Sequence, residues 1–250
     1  MKKSVLSLTI LSAAICASVF TGCSKKSSSS PAPASYTCTT CITAPEAVAA
    51  NDNSSKGIYK GVIVGSSGTI KFSIMNGDST IKAYMVIDGV KDTLTASVAW
   101  TSGAAYVSPF TGTLNGQPVS ITFSIDANGG NPTVTSMNIP GHADAVLTLS
   151  KETSSNLIEC FEGSIQDLTT GETGTFDLML SVSLKKWGAE VMVSGKSASS
   201  VSGTFDGTTL SFDDGKGSTG SATLFGDQII NGTWKNTKPE NGTWSAKRTL

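Results

Sequence analysis

The strongest constraint in this chain is an alternation of apolar and polar residues with a period of two, broken at short intervals by turn pairs. Val119-Ser-Ile-Thr-Phe-Ser-Ile125 sets Val119, Ile121, Phe123 and Ile125 on one side and Ser120, Thr122 and Ser124 on the other. Phe176-Asp-Leu-Met-Leu-Ser-Val182 repeats the arrangement through Phe176, Leu178, Leu180 and Val182, and Ile70 to Ile74 and Ile81 to Met85 follow it. Successive side chains of a strand point to opposite faces, so this pattern describes strands with one face in a core and one in water. Asn-Gly falls at 76–77, 115–116, 128–129, 231–232 and 241–242, and Asp-Gly at 88–89, 206–207 and 214–215. Both pairs accept positive φ and favour tight hairpins. Turn signals about ten residues apart predict a meander of short antiparallel strands, since parallel strands need long crossovers. With 26 glycines and only 15% charged residues, composition favours strands and turns over long helices. The fold class is all-β.

The meander reads as two tandem units, 57–153 and 154–250. Tyr59-Lys-Gly61 and Phe161-Glu-Gly163 each open a set of strands. Thr111-Gly-Thr-Leu-Asn-Gly116 is echoed by Ser202-Gly-Thr-Phe-Asp-Gly207, and Leu147-Thr-Leu-Ser-Lys151 by Trp244-Ser-Ala-Lys247. Each unit has room for about seven or eight strands. Either unit closes into a small barrel, or the two pack as a sandwich.

Ahead of the β body, Lys2 and Lys3 precede an uncharged apolar run from Val5 to Phe20, followed by Thr21-Gly22-Cys23. The run is short for a bilayer-spanning helix and suits a signal segment. Positive start, apolar run, small residues and cysteine together resemble the lipobox signal of bacterial lipoproteins, with Phe20 standing where that family usually has Leu. The resemblance covers the first two dozen residues. It implies a signal peptide over 1–22, removed before Cys23, and fatty acylation (diacylglycerol and palmitate) of that cysteine. Ser24 in place of Asp implies the outer membrane. Lys25-Lys26-Ser27, which lacks an acidic cluster, implies its periplasmic side rather than the cell surface. Residues 23–37 then supply the anchor and a Ser/Pro/Ala linker with little to bury, which predicts a flexible, semi-extended tether.

Residues 38–56 hold Cys38-Thr-Thr-Cys41 and a capping box, Thr43-Ala-Pro-Glu46, that predicts a short helix to about Asn51. The cysteines precede that helix, and no thioredoxin-like βαβ pattern follows. Export favours a disulfide, Cys38 to Cys41 or one of them to Cys160, over a redox pair. A metal site would need Cys38, Cys41, Cys160 and His142, and composition alone supports it.

No catalytic constellation is visible. His142 is the only histidine and sits in the turn-like Ile139-Pro-Gly-His-Ala-Asp144, where an exposed loop residue is expected. Nucleophile elbows, phosphate loops, zinc-protease motifs and dinucleotide fingerprints are absent. Asp206, Asp213 and Asp214 fit turn roles. Asp78-Ser-Thr80 and Asp92-Thr-Leu94 resemble a short O-glycosylation motif of Bacteroidota. Asn231-Gly-Thr-Trp234 and Asn241-Gly-Thr-Trp244 look like two arms of a hairpin around Lys238-Pro239, with both indoles on one face. Trp234 and Trp244 either fill the core or contact a ligand.

A net charge of −1 gives no broad attraction to nucleic acid. The residues support a lipid-anchored, non-enzymatic binding or structural protein of the envelope, without cofactor or metal. Its partner is a glycan, an envelope polymer or a protein. The alternative is a carrier of a small apolar ligand, since Gly57-Ile-Tyr59 at the first strand resembles the G-x-W of lipocalin-like proteins with Tyr in place of Trp. A paired-carboxylate hydrolase ranks third, because no pair can be named.

Overall fold

The computed structural model describes residues 34–250. The first set of strands is β1 (Gly57–Val64), β2 (Gly68–Ile74), β3 (Ile81–Ile87), β4 (Val90–Ala96), β5 (Tyr106–Leu114), β6 (Gln117–Ile125), β7 (Thr133–Asn138) and β8 (Val146–Glu152). The second is β9 (Glu159–Asp167), β10 (Thr173–Ser181), β11 (Lys186–Val193), β12 (Ser199–Phe205), β13 (Thr209–Asp213), β14 (Thr219–Phe225), β15 (Gln228–Lys235) and β16 (Asn241–Arg248). All pairings are antiparallel, as the close turn spacing requires. The first set forms one 8-stranded sheet in the order β7-β6-β5-β4-β3-β2-β1-β8, and the second closes into a barrel with β16 against β9. Among the described residues no helix is long and apolar enough to cross a membrane.

The turn chemistry sets the hairpins. Asp88-Gly89 (φ 48° and 78°) joins β3 to β4, and Asn115-Gly116 (φ 52° and 78°) joins β5 to β6. Positive φ at both central residues is what a two-residue hairpin matched to strand twist needs. Two of the eight turn pairs are not turns. Asn231 is a bulge inside β15, at φ 55°, and Gly242 is an ordinary rung of β16 paired with Trp234. At these positions glycine serves close packing instead.

Each unit has its own core, so the sandwich alternative, with one shared core, does not form. In the first, Phe72 stacks on Phe123 with ring centroids 4.6 Å apart, and Phe110 meets Phe72 edge-on at 4.9 Å. The second is built from Phe161, Phe176, Leu178, Leu180, Trp187, Phe205 and Trp244. Val182, expected to complete the inward row, lies beyond β10 and is 47% exposed. The Ser181 hydroxyl accepts the Leu184 N–H at 3.2 Å, which turns the chain and swings Val182 outward. The duplication is visible at the strand starts: Tyr59 and Phe161 are fully buried, and a Cβ on Gly61 or Gly163 would collide with the adjacent final strand. The 111–116 and 202–207 echoes, however, occupy the fifth strand of one set and the fourth of the other.

The outer faces of β1, β9 and β10 meet in a small apolar cluster of Val62, Ile158, Cys160 and Met179. Beside it, Lys60 and Glu152 form a fully buried ion pair at 2.6 Å. The Glu152 carboxylate also accepts N–H groups from Glu46 (2.6 Å), Ala47 (3.3 Å) and Ile158 (3.2 Å). Lys60 donates to the Ile158 carbonyl at 3.3 Å. This arrangement corrects the expected helix from Thr43 to Asn51, of which only a 3-10 turn, Ala49–Asn51, forms. The donors a helix start would leave open are taken by Glu152, and the Glu46 side chain pairs with Lys71 at 2.8 Å instead of closing a capping box.

Candidate binding site

Strand polarity separates the second barrel into two ends. The turns after β9, β11, β13 and β15 lie at one end, and those after β10, β12 and β14, with the chain's entry at Glu159 and exit at Arg248, lie at the other. A cavity of about 380 Å³ opens at the first of these ends. Its apolar wall includes Phe176, Val191, Val201, Phe212, Trp234 and Trp244, and Ser199, Asp214, Ser218 and Asn236 add polar groups.

Both predicted tryptophans face this cavity, on the same inward side of the β15–β16 hairpin. They differ in burial. Trp244 is 3% exposed and packs on Phe176, centroids 4.6 Å apart, and on Trp187 at 5.8 Å. Its Nε1–H donates to the Thr233 carbonyl at 3.3 Å, and that of Trp187 to the Thr204 carbonyl at 3.1 Å. Trp244 is therefore floor. Trp234 is half-buried nearer the opening, and its Nε1 is shut off from solvent without a hydrogen-bond partner. Asn236 Oδ1 is in the same condition, while its amide donates to the Glu240 carboxylate. Buried polar atoms are nearly always paired, so these two are exceptions, and the indole Nε1 is covered by Gly242 of the neighbouring strand.

The polar positions have simple causes. Asp214 sits in the β13–β14 turn, where N–H groups of Lys216 and Ser218 at 2.7 and 2.9 Å hold its carboxyl below the usual range. Asp206 accepts from Thr208 and Thr209 at 2.8 and 2.7 Å, and Asp213 from Gly215 at 2.8 Å, so these aspartates build turns. Of the wall residues, Phe176 belongs to an alternating run expected to face a core, whereas Val191, Val201 and Phe212 are singled out by no motif. Alternation shows which residues point inward, and only barrel closure shows which end stays open.

The remaining candidates lie elsewhere. Cys38 and Cys41 form the disulfide, while Cys160 is fully buried and burial pushes its thiol up to about 12. Among the described residues no three His, Cys, Asp or Glu side chains gather as a cation site. His142 is not an exposed loop residue: its ring is largely covered, and Nδ1 bonds Ser66 Oγ and lies 3.9 Å from Asp88 Oδ2. A base relay needs the nucleophile on one ring nitrogen and the carboxylate on the other, whereas both neighbours here share Nδ1. Cys23 and the signal segment fall outside the described residues. Tyr36, at the end of the expected linker, docks on the barrel through its hydroxyl to the Arg248 carbonyl at 3.0 Å.

Comparison with protein-family models, with curated proteins and with solved structures finds no match to this chain in any of the three.

Proposed function

We propose that this chain is a lipid-anchored binding protein of the bacterial envelope, held through Cys23, whose second barrel takes a small ligand with an apolar body at its mouth. The carrying observation is the cavity of about 380 Å³ beside Trp234, walled mainly by aromatic and β-branched side chains. Small-molecule sites are typically concave and apolar, with a few polar groups that orient the ligand. At this mouth Ser199, Asp214, Ser218 and Asn236 are placed for that part. Trp234 would lie along the ligand, while Trp244 and Phe176, packed against each other and backed by Trp187, form the floor.

Tryptophan-fluorescence titration of the mature chain, against fatty acids and small aromatic compounds in one panel and oligosaccharides in another, tests the reading. A saturable change with apolar compounds, lost on Trp234→Ala, is the expected result. A response confined to oligosaccharides would replace the apolar ligand with a sugar stacked on Trp234. Silence in both panels would remove the small-ligand reading.

A further inference from the structure

The end of the second barrel opposite the mouth carries exposed apolar side chains on its turns. Val182 and Leu184, in the β10–β11 turn, are 47% and 60% exposed, and Phe225, at the β14–β15 turn, is 41% exposed. Lys185 and Lys186 follow Leu184 directly and are also exposed. Neither apolar turn carries a hydrogen-bonding need that explains these side chains, since serine or asparagine serves a hairpin tip better than valine, leucine or phenylalanine. Of the acidic groups at this end, Asp206 is engaged by its own turn. Asp227 and Glu159 are engaged by Arg248, at 3.4 and 2.9 Å. Asp206 keeps its negative charge, its carboxyl being held below the usual range by the N–H groups of its turn, and Lys185 and Lys186 are the two cations of the turn that exposes Val182 and Leu184.

The amino-terminal arm reaches the barrel at this same end. The Asp227 N–H donates to the Tyr36 carbonyl at 3.3 Å, and Cys38 N–H to the Asp227 carboxylate at 2.9 Å. Arg248 holds the Ile42 carbonyl. Ser35 lies against Gly226, one residue from Phe225. Residues 24–34 then separate this point from Cys23, a span of at most about 40 Å at roughly 3.5 Å per residue. A lipid on Cys23 would thus be tethered to this end of the barrel.

We propose that Val182, Leu184 and Phe225, flanked by Lys185 and Lys186, form a membrane-contacting surface that seats on an anionic lipid leaflet. The mouth then opens away from the bilayer. Apolar tips enter the interfacial layer while lysines stay with the headgroups, the combination that binds peripheral proteins to anionic lipid. Tethering raises the effective concentration of a surface whose own affinity is low. The inference rests on the anchoring at Cys23 proposed above, and the test separates the two.

The mature chain with Cys23→Ser carries a histidine tag ahead of residue 24 and is captured on vesicles of phosphatidylcholine and phosphatidylglycerol containing a nickel-chelating lipid. An environment-sensitive fluorophore is attached through Leu184→Cys at the arm end or Lys216→Cys at the mouth end. Cys160 is buried and Cys38 is paired with Cys41, so each variant presents one reactive thiol. The expected result is a blue shift and quenching by brominated lipid for the Leu184→Cys label alone, both lost when Val182→Ser and Phe225→Ser are added. Identical behaviour of the two labels, or a shift at Lys216→Cys only, would overturn the proposal. So would a Leu184→Cys shift that appears without vesicles at high protein concentration, which would mean self-association. Fatty-acid labelling of the full chain in cells, compared with Cys23→Ser, answers separately for the anchor.

Discussion

Gly232 of β15 is the cross-strand partner of Trp244 of β16, and the indole lies on it so closely that an added Cβ would fall 2.6 Å from the ring. The relation is reciprocal, because Gly242 pairs with Trp234 and its Cβ would fall 2.3 Å from that indole's Nε1. Each glycine of the two Asn-Gly-Thr-Trp arms is thus the platform for the other arm's tryptophan. Gly232→Ala or Gly242→Ala would force an indole or a backbone carbonyl to move, at a cost of about 1–3 kcal/mol for overpacking. Denaturant unfolding would show both variants less stable. Gly242→Ala should in addition weaken ligand binding, because it moves Trp234 rather than Trp244. Equal stability of Gly242→Ala and the unmodified chain would contradict this geometry.

Trp234 and Trp244 should separate under alanine substitution. Removing the buried Trp244 empties the barrel floor and is expected to cost about 3–5 kcal/mol, the range for a large aromatic in a core. Trp234→Ala removes a half-buried wall and should leave the melting temperature far closer to that of the unmodified chain while abolishing the fluorescence response to ligand. Calorimetry and titration on the same two variants check the split.

Asp177, on β10, is fully buried; its Oδ1 accepts the Gly163 N–H at 2.9 Å, and Oδ2 has no partner. Burial, with the nearby Glu162 charge, pushes its carboxyl up to about 8 from 3.8. A carboxyl raised in the folded state keeps its proton where the unfolded chain has lost it. This group therefore subtracts stability progressively as pH rises from about 4 to about 8, and the loss is constant above that. Asp177→Asn should gain about 1–3 kcal/mol at pH 8–9, the scale of one unsatisfied buried group, and little at pH 4. Thermal unfolding across pH measures the difference, and a variant no more stable at pH 9 than at pH 4, relative to the unmodified chain, would refute the assignment.

The Lys60–Glu152 pair should be costly to break and less costly to replace. Lys60→Met alone leaves Glu152 buried without its cation and is expected to lose about 3–5 kcal/mol. Pairing Lys60→Met with Glu152→Gln should recover part of that loss, since the amide oxygen can still accept from the Glu46 and Ala47 N–H groups that share Oε1, while the Ile158 N–H on the other oxygen loses its acceptor. Urea unfolding of the single and double variants gives the coupling directly.

Much of the architecture was legible before any coordinates. Period-two runs such as Val119 to Ile125 settle inward and outward faces, because a strand has only two, and Asn115-Gly116 and Asp88-Gly89 could hardly be anything but hairpin tips. The misreadings share a cause. Thr43-Ala-Pro-Glu46 carries local helix signals, yet Glu152, more than a hundred residues away, takes its donors. Asn231-Gly232 and Asn241-Gly242 look like turns, yet an indole across the hairpin needs the missing Cβ. His142 looks like an exposed loop residue until the β1–β2 hairpin brings Ser66 against it.

By itself the sequence determined the all-β class, the antiparallel meander and its division into two sets, because alternation and turn chemistry act between near neighbours. It also placed Trp234 and Trp244 on one face of one hairpin. Only the tertiary structure decided that the second set closes while β7 and β8 remain edges, that Trp244 is floor and Trp234 wall, and that the arm docks opposite the mouth. Those outcomes depend on pairings between residues far apart in the chain, such as Trp244 with Ile165 across the closing seam, which no local pattern encodes.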